Sequence, residues 1–185
     1  MATNSFFTRP CKTVKQALLP VGEYTVKRIA GASVALSDDV QKGGKQCRFT
    51  LSAELAGSRA TVVNDCIGWF KTLFLRPEHI FGTATSGDAT LLFAIVYYAG
   101  LGELVEDEAT GAEQYTFTQD VWDSLIEGIP DADMNVETLE LFLTNLSTLL
   151  KASREQFNVQ VTHRAAKGVT YANITGVLPF EELDD

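Results

Sequence analysis

Apolar and polar residues alternate near both ends of this chain, and in its middle apolar residues recur every three to four positions. That pattern predicts an α+β fold: antiparallel strands, a helical insertion, then strands again. The 185 residues suffice for one domain with a proper core. Hydrophobic residues make up 45% and charged residues 21%, a balance that excludes wholesale disorder. The longest apolar run, residues 89–99 broken by Thr90, falls short of the roughly 18 residues a membrane-spanning helix needs. Residues 1–7 have no basic stretch leading into a long apolar one, so no secretory signal is expected. Cys11, Cys47 and Cys66 contain no CxxC pair, and their odd number argues against a disulfide framework. His79 and His163 stand too far apart to suggest a zinc site. The expectation is a cytoplasmic, reduced domain with no metal or cofactor and no membrane contact.

Residues 1–17 are polar and irregular, and an arm is expected there. Residues 18–23 read as a turn before a first strand, in which Tyr24, Val26 and Ile29 roughly alternate with Thr25, Lys27 and Arg28. Gly31 marks a bulge before Val34-Ala35-Leu36, and residues 37–45 form a polar, glycine-bearing loop. Cys47, Phe49, Leu51 and Ala53 then alternate with Arg48, Thr50, Ser52 and Glu54, the pattern of a half-buried strand. Residues 59–67 are expected as its antiparallel partner, which completes a three-stranded meander. Ser86 is positioned to cap a helix over residues 89–99, stopped by Gly100, although that apolar run reads equally as a buried strand. Thr116 and Gln119 have capping-box spacing for a short helix that buries Val121, Trp122, Leu125 and Ile126. Asn135 starts the clearest helix, with Leu139, Phe142, Leu143, Leu146 and Leu150 on one face. Phe157, Val159 and Val161 restore the strand pattern, and a basic turn over residues 163–168 leads to Val169, Tyr171 and Ile174. The organisation expected is one domain over residues 18–178, with its helical insertion at about 86–153, and an acidic tail over residues 179–185.

The net charge of −9 is divided unevenly. Residues 1–80 carry eleven Lys and Arg against six Asp and Glu, whereas residues 81–185 carry four against eighteen. No Lys or Arg lies between Phe81 and Leu150. Such asymmetry points to a nucleic-acid partner or an acidic arm, and the acidic stretch reads equally as a solvated face. Catalytic motifs are missing: there is no G-x-x-x-x-G-K-[ST] loop, no G-x-G-x-x-G and no G-x-S-x-G. A Cys–His nucleophile pair stays open on sequence alone, and Glu106-Asp107-Glu108 reads as an exposed loop. Nothing in the sequence argues for an enzyme.

Strands at both ends around a helical insertion fit a five-stranded barrel of the oligonucleotide-binding type. Binding single strands takes cations along a groove and aromatic faces on which bases stack. Both recur together here: Tyr24 with Lys27 and Arg28, Arg48 and Arg59 along the meander, Trp69 with Lys71, and Arg164 and Lys167 before Tyr171. Phe49 is assigned to the core, while Tyr24, Trp69 and Tyr171 are open between core and groove.

The residues resemble phage-encoded single-stranded-DNA-binding proteins that combine an oligonucleotide-binding barrel with an acidic C-terminal tail. The likeness lies in the opening Leu19-Pro20-Val21-Gly22-Glu23-Tyr24-Thr25-Val26-Lys27 and in the closing Val159-Gln160-Val161-Thr162 and Gly168-Val169-Thr170-Tyr171-Ala172-Asn173-Ile174. It also lies in the tail, Phe180-Glu181-Glu182-Leu183-Asp184-Asp185 after Pro179. The resemblance implies coating of single-stranded DNA in replication and recombination, with the tail recruiting partner proteins. A homo-oligomer is left open. Two other classes compete: an acidic mimic of nucleic acid that inhibits a DNA-binding protein, and a viral structural or assembly subunit.

Overall fold

The first strand sets the architecture. The computed structural model describes residues 19–56, 69–129 and 134–183, with Trp69 and Phe70 as backbone only. β1 (Gly22–Asp38) runs for 17 residues, about three times an ordinary strand. Register shifts between Val26 and Arg28 and between Ile29 and Gly31 bend it, as the glycine foretold. At Gly31 a Cβ would sit 2.7 Å from Ser52 Oγ, so a larger residue there would have to displace the Ser52 hydroxyl. The bend lets one strand serve two neighbours. Residues 22–26 pair with β6 (Phe157–Ala166), and from Thr25 onward β1 pairs with β2 (Lys45–Ala56). β3 (Trp69–Leu75) flanks β2 and β7 (Val169–Leu178) flanks β6, giving the antiparallel order β3-β2-β1-β6-β7.

This sheet is strongly curled. Laid flat, four strand spacings would separate its edges by about 19 Å. Instead Lys71 Nζ on β3 donates to Asn173 Oδ1 on β7 at 2.7 Å. Among the described residues no backbone ladder joins the two edges, so a side-chain bond bridges them where a closed barrel would have backbone pairing.

The inner face of the sheet carries Val26, Ile29, Phe49, Leu51, Leu73 and Val159, all buried. Four helices lie between β3 and β6: α1 (Pro77–Ile80), α2 (Gly87–Tyr98), α3 (Gln119–Ile126) and α4 (Val136–Ala152). α4 packs on β1 and β2 with Leu139, Phe142, Leu143, Leu146 and Leu150 buried, the face its spacing predicted. Its start is fixed by a reciprocal cap. Asn135 Oδ1 accepts from Thr138 N–H at 3.0 Å, and Thr138 Oγ1 accepts from Asn135 N–H at 2.8 Å. α2 resolves the helix-or-strand ambiguity as helix, with Ser86 Oγ accepting from Ala89 N–H at 3.1 Å.

Several local expectations change. Thr118, not Thr116, caps α3, accepting from Val121 N–H at 3.4 Å, because Thr116 is already committed to a strand. That strand belongs to an unforeseen hairpin, β4 (Gly102–Glu106) and β5 (Glu113–Phe117). The hairpin is nearly all exposed along β4, so no alternation of burial marks it in the sequence. The partner of β2 is β3; residues 59–67, expected in that role, lie outside the described residues, as does the arm over 1–17. The basic turn of residues 163–168 shrinks to two residues, because β6 continues to Ala166.

One described residue of the tail is bonded to the sheet through its backbone. Asn158, fully buried, donates from Nδ2 to Glu23 Oε1 and to the Glu181 carbonyl, each at 2.9 Å. It accepts from Thr25 Oγ1 at 2.9 Å, so a buried amide meets its needs by tying the tail backbone across β6 and β1.

Candidate nucleic-acid interface

Beyond Val161, β6 loses its β1 partner, and the β6–β7 hairpin continues alone as a ribbon whose residues 163–171 are exposed. Its turn is Lys167-Gly168, with φ of +50° and +75°. Two left-handed residues make the turn whose twist suits a hairpin, and a lysine in that region costs about 1–2 kcal/mol. The turn accepts that strain and sets an ammonium group at the ribbon tip. At the ribbon's base, His163 Nε2 donates to the Leu19 carbonyl at 2.9 Å.

Register then builds a row on one ribbon face. Arg164 stands directly opposite Tyr171, and Thr162 opposite Asn173. Directly opposed residues have Cβ atoms about 4.5–5.5 Å apart, so Arg164 and Tyr171 are cross-strand neighbours. Tyr171 is 52% exposed, and Val169, one further step along the same face, is 50% exposed. Asn173 holds the Lys71 ammonium at the other end of the row. Arg164 and Lys167 have no ion-pair partner among the described residues. Two stretches distant in sequence thus meet here: Lys71 from β3, and the β6–β7 hairpin with Arg164 on β6, Lys167 in the turn and Tyr171 on β7.

The other candidates are placed differently. Tyr24 is a correction: it is fully buried, and its hydroxyl donates to the Pro20 carbonyl at 2.7 Å, so its ring offers no face to a base. Phe49 is buried as expected. Lys71 lies in register with the buried Leu51 and reaches the surface row only through Asn173. Lys27 is exposed, and Arg28 is exposed but paired with Glu54 at 2.6 Å. Arg48 lies on the outer face of β2, opposite Phe74, which is exposed. Trp69 pairs through its backbone with Ala53, while its side chain, like Arg59, lies outside the described residues. In the tail Phe180, Glu181 and Glu182 are exposed and Leu183 is half-buried; Asp184 and Asp185 are outside the description.

Sequence reading missed Phe74 and Asn173. Phe74 sits inside Leu73-Phe74-Leu75, where the apolar run hides that its parity is opposite to that of its buried neighbours. Counting parity from Lys71 as an outward residue points Phe74 inward, because Lys71 shares the parity of the buried Leu73 and Leu75. Asn173 carried no signal, since its role depends on the curl of the sheet.

A second concavity opens on the acidic side. An open groove of about 1180 Å³ runs between the loop after α1, α2, the β4–β5 hairpin and α3. Aromatic rings wall it: Phe81, Phe93, Tyr115, Phe117 and Trp122. Phe142 packs beneath them, with centroids 5.4 Å from Phe81, 5.5 Å from Phe117 and 5.3 Å from Trp122. Asp107 and Glu113 stand on the rim. Asp107 is held below the usual carboxylate range by the backbone N–H of Thr110 and then that of Ala109.

Cys47 is fully buried in the core. Burial, reinforced by the Glu140 and Glu137 carboxylates, pushes its thiol up to about 12, and its Sγ lies 3.5 Å from the Val136 carbonyl. Alkylation of the native protein at pH 8 is expected to leave Cys47 unmodified, and unfolding in urea is expected to expose it. Mass spectrometry of the Cys47 peptide reads this directly; rapid native labelling would show that the β2 core opens. Among the described residues no group of His, Cys, Asp and Glu is arranged to hold a metal ion, and no helix is long and apolar enough to cross a membrane.

Comparison with known proteins gives no match, neither to a family model nor to a curated protein.

Proposed function

We propose that this protein binds single-stranded nucleic acid, DNA in particular, without sequence preference and without catalysis. The observation that carries the reading is the ribbon row: Arg164 and Lys167 without acidic partners among the described residues, Tyr171 exposed on the same hairpin, and Lys71 held at the row's end by Asn173. Cations there neutralise phosphates, and the phenol ring gives a base a stacking face. The fold supports this reading by analogy. Oligonucleotide-binding barrels are five-stranded and partly open, and they bind through the face of strands 2 and 3 and the loops after strands 1 and 4. Here the long bent β1 joins two strands on each side, and β3 and β7 approach at the edges. By that correspondence β2–β3 presents Arg48 and Phe74, the first loop presents Lys42, and the fourth connection is the basic ribbon. A role in replication or recombination, with Phe180, Glu181 and Glu182 meeting a protein partner, completes the proposal.

Titration of labelled oligo-dT over a salt series tests it. Binding is expected at low salt, with log K falling linearly against log salt by about 0.7 per phosphate contacted. Duplex of the same length is expected to bind more weakly, because its bases are not free to stack on Tyr171. Absence of binding at low salt, or binding with no salt slope, overturns the proposal.

A further inference from the structure

We propose that the aromatic groove is a docking site for the basic ribbon of a second copy of this chain, giving head-to-tail self-association. The groove is larger than the roughly 300–1,000 Å³ of a small-molecule pocket and is open, dimensions that suit a stretch of polypeptide. Its chemistry selects a cation. Phe81, Tyr115 and Trp122 line it together with Asp107 and Glu113, and no Lys or Arg between Phe81 and Leu150 is there to neutralise the carboxylates. The hairpin is also electrostatically unsatisfied. Glu106 and Glu113 stand directly opposite each other across β4 and β5, a destabilising like-charge pair, and neither has an ion-pair partner among the described residues.

The ribbon has the complementary surface. Arg164 and Lys167 lack acidic partners among the described residues, and exposed Val169 and Tyr171 lie between and beside them to meet the aromatic walls. Residues 163–171 are exposed in the folded chain, so the ribbon does not fill its own groove, and the occupant is another molecule. Ribbon and groove are different surfaces, so a pair joined through one contact still has one ribbon and one groove free. Such a contact propagates into an open chain or closes into a ring.

The inference does not rest on nucleic-acid binding, and its test uses none. Sedimentation of the full chain from micromolar to millimolar concentration is expected to show association that weakens as salt rises. The exposed pairs Arg164→Glu with Lys167→Glu, and Glu106→Lys with Glu113→Lys, are each expected to weaken self-association at least tenfold. Mixing the two variants is expected to restore association, because the reversed ribbon then meets the reversed groove. Glu106→Gln with Glu113→Gln gives a separate readout: it is expected to melt higher, by relief of the repulsion, yet associate less. A chain that stays monomeric at millimolar concentration and low salt overturns the proposal. So does association that neither charge reversal changes, or a mixture of the reversed variants that fails to associate.

Discussion

Tyr171→Ala is expected to weaken binding of oligo-dT by about 1–3 kcal/mol, the scale of one base–aromatic stack, while leaving folding stability within about 0.5 kcal/mol. The two halves of that expectation come from one geometric fact. Tyr171 is 52% exposed on a ribbon beyond the reach of β1, so its ring contributes little to the core and much to whatever lies across it. Arg164→Ala with Lys167→Ala is expected to act through charge instead, flattening the salt slope by about 1.4 because two phosphate contacts are lost. Fluorescence anisotropy over a salt series, with a thermal melt of each variant, separates the effects. Tyr24→Ala is the internal contrast: that ring is fully buried, so its loss is expected to cost several kcal/mol of stability. An unchanged affinity in folded Tyr171→Ala removes the ribbon from the interface.

Much of the fold was legible because burial imposes a period. In β2, Cys47, Phe49, Leu51 and Ala53 alternate in the sequence because one face meets α4 and the other meets water. α4 announces both its apolar face and its first residue, Asn135, whose side chain has a backbone donor to satisfy. Where burial is absent or complete, the signal fails. β4 is exposed on nearly every residue, and α2 is apolar almost all the way round, so neither carries a usable period. The candidate site was only partly legible for a related reason. Clusters of cations beside an aromatic ring are visible as neighbours in sequence, yet Tyr24 and Tyr171 each stand close to two cations and differ wholly in burial. What separates them is register and sheet length. Tyr24 lies opposite Val159 where β1 and β6 are paired, and Tyr171 lies opposite Arg164 where that pairing has ended. The bond from Lys71 to Asn173 depends on the curl of five strands, a property no local window contains.

Phe142→Ala is expected to cost about 3–5 kcal/mol of stability. Phe142 is fully buried on α4, and it meets Phe81, Phe117 and Trp122 at centroid separations of 5.3–5.5 Å. Three elements therefore rest on one ring: the segment after α1, the end of β5, and α3. Deleting it loses the transfer energy of the ring and leaves a cavity that three packed aromatics are too rigid to fill. Total stability of domains is about 5–15 kcal/mol, so the loss is a large share, and melting is expected to fall by about 6–20 °C. Phe142→Leu keeps much of the volume and is expected to cost clearly less. Urea denaturation followed by circular dichroism measures both. A second readout is local: Trp122 lies against Phe142 and also lines the groove, so its emission is expected to shift in folded Phe142→Leu. The helix should remain, since its cap at Asn135 lies on a different turn of α4. A loss below about 1 kcal/mol in Phe142→Ala would mean that the cluster is loosely packed. In that case the groove above it would lack the rigid floor on which a docked ribbon depends.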